Sequence, residues 1–245
     1  EDHPGQKVED VQKYGIDIFT VGSDWTGAFD HMKQFCEVVY LERTKNISST
    51  QVRNASHPII RIGVVGTGRI AVRFVPEAKY VSGVMVNSVY NPKIESAKEF
   101  GDQFELDLAT DDFNAFMKEV DAIYIASPHQ THYEYAKRAL EQGKHVLCEK
   151  PLAFKRAEAE ELFTIAREHG VVLLEAIKTA YCPGFVQLVG IAKSGVIGQI
   201  CDVEACFTRL TDPGLRERTD AAYGGGFTEF GSHTLLPIMK LMGTN

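Results

Sequence analysis

The chain has 245 residues, of which 44% are hydrophobic and 24% charged, and its formal net charge is -7. This composition suits a globular protein with a core of its own, and the acidic balance argues against nucleic acid as a partner, since nucleic-acid binders carry a net basic face. No apolar run approaches the roughly 18 residues of a membrane span, and residues 1–20 lack a signal-peptide pattern. Cys36, Cys148, Cys182, Cys201 and Cys206 include no C-x-x-C pair. Scattered thiols in odd number fit a reducing compartment, so the expectation is a cytoplasmic protein with no membrane partner.

In chain order, KVEDVQKYG reads as a helix, IDIFTVG as a strand, AFDHMKQF as a helix and EVVYLER as a strand. A polar loop feeding a short helix follows, and residues 54–57 read as a linker. The pattern then restarts. IIRIGVVG is a strand, RIAVRFVPEA a helix, VMVNSVY a strand, IESAKEFGDQF and DDFNAFMKEV helices, and DAIYIAS a strand. YEYAKRALEQG, AEAEELFTIAREHG and FVQLVGIAKSG read as helices, with HVLCE and VVLLEA as strands between them. Strands alternating with helices predict right-handed crossovers and a parallel sheet, and strands as apolar as IIRIGVVG predict a sheet covered on both faces. From Ile200, QICDVEACFTRL alternates as a longer strand of an open antiparallel sheet. The expected organisation is a segment over 1–53, the linker, a doubly wound α/β domain over 58–178 and the start of an α+β domain over 179–245. No initiating Met is present, and the chain stops at Gly243-Thr244-Asn245 with strands still owed, which reads as a fragment.

Gly66-Thr67-Gly68-Arg69-Ile70-Ala71 is a G-x-G-x-x-A run between a predicted strand and a predicted helix. The first glycine makes the tight turn, the second admits a pyrophosphate to the backbone, and the small third residue lets helix and strand pack closely. The helix N-terminus then holds the phosphates. The competing reading is a structural glycine turn in another α/β fold. At the end of the next strand, where an NAD site usually presents a carboxylate to the ribose, the sequence has Asn91-Pro92-Lys93. Asn91 suits a ribose hydroxyl. Lys93 suits either a 2′-phosphate or the solvated start of a helix, which leaves NAD and NADP both open.

HVLCE ends in Glu149-Lys150-Pro151, which places Lys150 in the crevice beyond the carboxyl ends of the strands. An ammonium there can polarise a carbonyl or stabilise a developing alkoxide; taken alone, such a lysine is also an ordinary surface cation. IRIGVVGTGRIA, ASPHQTHYEYAKRALEQGKHVLCEKPLA, LLEA and IGQICDVEA occur in order and at the right spacing. Together they resemble the glucose–fructose oxidoreductase / inositol dehydrogenase (Gfo/Idh/MocA) family from about Ile59 to Gly243. The resemblance implies a Rossmann domain followed by an open-sheet α+β domain, NAD or NADP as cofactor, and a sugar, polyol or related cyclic alcohol as substrate. It also implies a homo-oligomer. It gives Lys150 the role of essential lysine and sets Glu149, Ser127, Pro128 and His132 along the cofactor.

Gly224–His233 is similar to the family's glycine-rich segment ending in D-x-x-x-H, with Glu229 where the family more often has Asp. On a helix Glu229 and His233 share one face, and His233 suits proton transfer near neutral pH. The alternative for His233 is a core or interface histidine. Lys178 stands where related chains commonly have an apolar residue; it reads either as a pocket cation for an anionic substrate or as a solvated hinge lysine. The histidines do not group with cysteines or carboxylates at ligand spacings beyond this one pair, so no metal is expected.

Residues 7–53 resemble the C-terminal half of the glycerol-3-phosphate cytidylyltransferase type of nucleotidyltransferase. The resemblance rests on Tyr14–Asp17, Gly22–Trp25, Cys36–Leu41 and above all Arg43-Thr44-Lys45-Asn46-Ile47-Ser48-Ser49-Thr50. Arg43, Ser48, Ser49 and Thr50 are the implied nucleotide contacts. The family's H-x-G-H motif belongs upstream of residue 1, so the implied parent is bifunctional. Two further readings stand beside the oxidoreductase: a nucleotidyltransferase of surface-polymer precursor synthesis, and a dinucleotide sensor without turnover.

Overall fold

The structure, a computed structural model, describes residues 5–41, 59–208, 210 and 223–244. The chain divides into two units, Glu1–Pro58 and Ile59–Asn245.

In the first unit, helix α1 (Gln6–Tyr14) precedes strands β1 (Ile18–Gly22) and β2 (Glu37–Leu41), which pair in parallel from Ile18↔Glu37 to Gly22↔Leu41. Val11 and Met32 are its buried apolar residues among those described. The helix expected at AFDHMKQF is a short 3₁₀ segment, Asp30–Gln34. The Tyr40 hydroxyl accepts the Phe29 N–H at 3.1 Å and donates to Asp30 Oδ1 at 2.9 Å, while Lys33 pairs with Asp30 at i,i+3. These contacts hold the tighter turn, in which residues three apart eclipse. Arg43, Ser48, Ser49 and Thr50 lie outside the described residues.

In the second unit, six parallel strands form one sheet. They are β3 (Ile60–Val65), β4 (Val84–Tyr90), β5 (Leu108–Thr110), β6 (Ala122–Ile125), β7 (His145–Cys148) and β8 (Leu173–Glu175), ordered β5-β4-β3-β6-β7-β8. The order reverses between β3 and β6, which is the Rossmann arrangement and opens a crevice at the carboxyl ends of those two strands. Helices α2 (Arg69–Ala78) and α3 (Ile94–Phe104) belong to one face, and α4 (Phe113–Lys118), α5 (His132–Glu141) and α6 (Arg156–Glu168) to the other. Consecutive β3 residues serve opposite faces: Val64 packs with Ala71, Val75 and Phe100, and Val65 with Phe116, Ile125 and Leu140. Helix α4 lies so close to β3 that a Cβ on Gly63 would meet the Phe116 ring at 2.4 Å. Asp112 caps that helix, its Oδ1 accepting from Asn114 N–H and Ala115 N–H.

Three residues at Leu108–Thr110 make a strand that the sequence pattern did not single out; it is short and borders Gly101, whose missing side chain admits Ala109. Beyond β8 come a 3₁₀ segment (Lys178–Tyr181), α7 (Pro183–Lys193) and α8 (Gly226–Met242). The long strand expected from Ile200 is not formed: residues 200–208 carry no regular structure. Extended backbone needs a pairing partner to satisfy its N–H and C=O groups, and no described residue pairs with this segment. Among the described residues, no helix is long and apolar enough to cross a membrane.

Candidate functional site

The strand ends of the second unit converge on a cleft of 470 Å³, within the usual size range for small-molecule sites. Its floor is the turn after β3. Gly66 has φ +99°, and a Cβ there would lie 2.7 Å from the Ala126 carbonyl oxygen, so only glycine lets β3 and β6 end this close together. Gly66 N–H donates to Tyr90 O at 2.9 Å, which ties the turn to β4. Gly68 is the extended N-cap of α2, with no side-chain cap and open space where a Cβ would stand. The first-turn N–H groups of α2 therefore start at the cleft, and an anion is the ligand that this helix end favours. A glycine-lined cradle at a helix N-terminus fits the pyrophosphate of a nicotinamide dinucleotide.

Around this floor the cleft is lined by Thr67, Arg69, Ile70, Asn91, Ser127, Pro128, Glu149, Lys150, Glu229 and His233, all expected there from the sequence. Asn91 is held by two hydrogen bonds, its Nδ2 donating to Thr67 Oγ1 at 2.8 Å and its Oδ1 accepting the Lys93 N–H at 2.9 Å, which leaves a second Nδ2 hydrogen. Glu149 accepts the Tyr124 hydroxyl at 2.7 Å. Tyr124 lies stacked on Phe74 at 3.8 Å, and burial, then the Glu149 charge, push its phenol well above the usual range.

Lys150 follows a β7 whose register with β6 and β8 fixes its strand end. Its Nζ donates to Glu229 O at 2.8 Å and to Glu229 Oε1 at 3.1 Å. An ammonium has three donors, so one remains beyond these two. Both side chains are mostly buried, at 13% and 24% exposure, which makes the pair less screened than a surface ion pair. Glycines 224–226 lead into α8, and Glu229 and His233 lie one turn apart on it. Phe207 stacks on the His233 ring at 5.1 Å and on Phe230 at 4.9 Å. Burial, and then the Lys150 charge, hold the His233 imidazole below the ordinary histidine range, so at neutral pH it is an unprotonated acceptor.

Three expected site residues stand elsewhere. His132 is fully buried, because its ring bridges two loops from within: Nδ1 is 2.8 Å from Pro151 O and Nε2 is 2.9 Å from Ser127 O. It supports the cleft instead of lining it. Burial holds this imidazole low as well. A neutral ring has one N–H, so only one of the two carbonyls receives a hydrogen bond. Lys93 is exposed and outside the lining; its backbone caps onto Asn91 as α3 begins. Lys178 is exposed on the 3₁₀ segment and outside the lining, though its charge still reaches His233.

The cleft also contains residues that the sequence reading passed over, namely His129, Gln130, Phe207, Tyr223 and Phe230. His129 follows Ser127-Pro128 directly, so its place after a strand end was the available signal. Phe207, by contrast, sits in the segment taken for a strand, and only the fold brings it to His233. Among the described residues, no three histidines, cysteines or carboxylates group as metal ligands.

Residues 60–177 match the GFO_IDH_MocA model, an oxidoreductase family with an NAD-binding Rossmann fold. The chain is 39% identical over 132 residues to scyllo-inositol 2-dehydrogenase (NADP(+)) IolU of Bacillus subtilis (strain 168), covering 53% of this chain and 40% of that protein. It is 36% identical over 170 residues to dTDP-3,4-didehydro-2,6-dideoxy-alpha-D-glucose 3-reductase of Actinomadura kijaniata, covering 68% of this chain and 51% of that one. Among solved structures it is similar to KijD10, a 3-ketoreductase from Actinomadura kijaniata in complex with NADP and TDP-benzene. The TM-score is 0.68 at 33% identity, over 76% of this chain and 58% of that one. The chain thus spans about half the length of the curated relatives it matches. Residues 60–177, just under half of the chain, thus match the Gfo/Idh/MocA oxidoreductase family, whose Rossmann fold binds NAD.

Proposed function

We propose that this chain carries the cofactor-binding part of an NAD(P)-dependent oxidoreductase acting on a sugar, a polyol or a related cyclic alcohol or ketone. The observation that carries the reading is that Lys150 and His233 face the same cleft as the glycine turn. The cofactor, NAD or NADP, supplies or accepts the hydride when bound. Gly66, Gly68 and the first turn of α2 hold its pyrophosphate, with Thr67, Arg69 and Ile70 beside it, and Asn91 meets the ribose. Ser127, Pro128 and Glu149 complete the wall along it. The free donor of Lys150 binds the substrate oxygen and stabilises negative charge as it develops there. His233, unprotonated at neutral pH, takes the alcohol proton in oxidation and returns it in reduction. Glu229 orients Lys150.

A carbohydrate-like substrate is supported by the relatives, one an inositol dehydrogenase and another a reductase of a dTDP-sugar. Lys178 adds positive charge on the substrate side and favours an anionic substrate. Lys93 is the residue to vary in deciding between NADP and NAD. The reading of 179–245 as part of an α+β open-sheet domain rests on the family resemblance, the apolar residues exposed on α7 and α8 suit a homo-oligomer, and the scattered cysteines suit the cytoplasm. For residues 7–53 we propose the C-terminal part of a cytidylyltransferase-type fold, with Arg43, Ser48, Ser49 and Thr50 on the nucleotide. Its support is the parallel β1–β2 pair, which requires a crossover connection, together with the sequence signature. Protection of this segment by CTP in hydrogen exchange tests that part.

The main test is a titration of the chain with NADH and NADPH, read by nicotinamide fluorescence. Binding of one or both is expected. A folded chain that binds neither overturns the oxidoreductase reading. In an active preparation, Lys150→Ala is expected to lower kcat by about a hundredfold or more, the scale of losing one donor to a developing oxyanion.

A further inference from the structure

We propose that His129 is a positioning residue of this site, acting on Lys150 through the two oxygens of the Glu229 carboxylate. The inference rests on the oxidoreductase reading for its consequence and on geometry for its substance. Glu229 divides its carboxylate between two partners from different loops. Oε1 accepts from Lys150, whereas Oε2 is buried, accepts no hydrogen bond from the described residues, and lies 3.6 Å from His129 Nε2. A buried carboxylate oxygen without a donor is costly. The imidazole beside it is the group placed to relieve that cost. His129 is itself mostly buried, at 16% exposure.

The loops explain why the contact matters. His129 follows β6 by four residues and Lys150 follows β7 by two, so Glu229 on α8 links both strand ends. Lys150 keeps its remaining donor turned to a substrate while Glu229 stays in one rotamer, and a carboxylate with Lys150 bonded to one oxygen and an imidazole beside the other has fewer rotamers to visit. The His129 ring is in turn set by an edge-on contact with His132, centroids 5.5 Å apart, and His132 is locked between Ser127 O and Pro151 O. His129 thus relays the rigidity of the buried bridge to the reacting end of Lys150.

The test reads Lys150 directly. Acetic anhydride labelling of Lys150, quantified by peptide mass spectrometry in the cofactor-free chain, measures how firmly the ammonium is held. His129→Ala is expected to raise the labelling rate severalfold. His129→Gln, which keeps a donor at similar reach, brings it back toward the starting rate. Glu229→Gln raises the rate as well, and adding His129→Ala to it produces no further rise, because the two act through one carboxylate. In an active preparation His129→Ala lowers kcat more than it raises KM, the signature of a lost transition-state interaction. Unchanged labelling in His129→Ala, failure of Gln to restore it, or additive effects of the two substitutions would overturn the proposal. Because labelling needs no cofactor, the outcomes separate. A labelling response without NADH or NADPH binding keeps the His129 link and discards the oxidoreductase reading, and binding without a response does the reverse.

Discussion

Residues 59–177 and the segment after them build the same cleft by different means. In the first region both faces of the sheet are covered, and Phe116, Ile123, Ile125, Leu140 and Leu162 are entirely shielded from solvent. In the second, α7 buries none of its residues and α8 buries only Gly231, while Val186, Leu188, Ile191, Val196 and Ile197 are exposed. The wall that faces the cofactor is therefore set by core packing, since Gly66, Ser127 and Lys150 all stand at strand ends. The opposite wall is held by a few polar and aromatic contacts, chiefly Lys150 with Glu229 and Phe207 with His233. Precision at one wall comes from density, and at the other from individual bonds.

The largest expected effect lies in the packed region. Phe116→Ala removes a ring wedged against Gly63 and Tyr90 and is expected to cost about 3–5 kcal/mol of unfolding free energy, measured by urea denaturation. A loss below 1 kcal/mol, on the order of a surface change, would break the comparison. Next comes Gly66→Val. A branched side chain at φ +99°, 2.7 Å from Ala126 O, is expected to weaken NADH or NADPH binding by roughly tenfold or more in a fluorescence titration.

A smaller effect is a pH dependence. His132 and His233 both have folded-state values below the ordinary 6.5. The unfolded chain therefore takes up protons first as the pH falls. Their contribution to stability is complete above pH 6.5 and is lost as pH falls from 6.5 through the folded-state values. Urea midpoints measured downward from neutral pH should decline over that window, and His132→Gln should flatten the decline. An equally steep decline in the variant would show that other groups carry it. The smallest expected effect is in the second region, where Ile191→Ser on exposed α7 should change the unfolding free energy by no more than about 0.5 kcal/mol.

Where packing and periodicity agree, the fold was legible in the residues. RIAVRFVPEA is helical over the expected span, and the strands ending at Val65, Tyr90, Ile125 and Cys148 follow apolar runs. Where a segment depends on a partner, the pattern misled. The alternation of QICDVEACFTRL suits a strand, yet pairing is a tertiary event, and the described residues supply no neighbour for it. The motif at 127–132 shows both sides: the family resemblance marked it as part of the site, but set His132 along the cofactor and passed over His129, which lines the cleft. Burial decides between them, sending His132 inward to two carbonyls and His129 to the carboxylate of Glu229.

By itself the sequence determined the parallel sheet, the glycine turn and the identity of Lys150, Glu229 and His233 as candidates. The sheet and the turn are local, resting on the period of the side chains and on the backbone freedom of glycine, Lys150 was marked by its strand end, and Glu229 and His233 by the family resemblance. The tertiary structure alone decided that Lys150 is held by the main chain and the side chain of Glu229, 79 residues away, and that Phe207 lies on His233. It also withdrew Lys93 and Lys178 from the cleft wall. The physical reason is that hydrogen bonds and ring contacts between distant residues follow from the packing of whole elements, which no local spacing encodes.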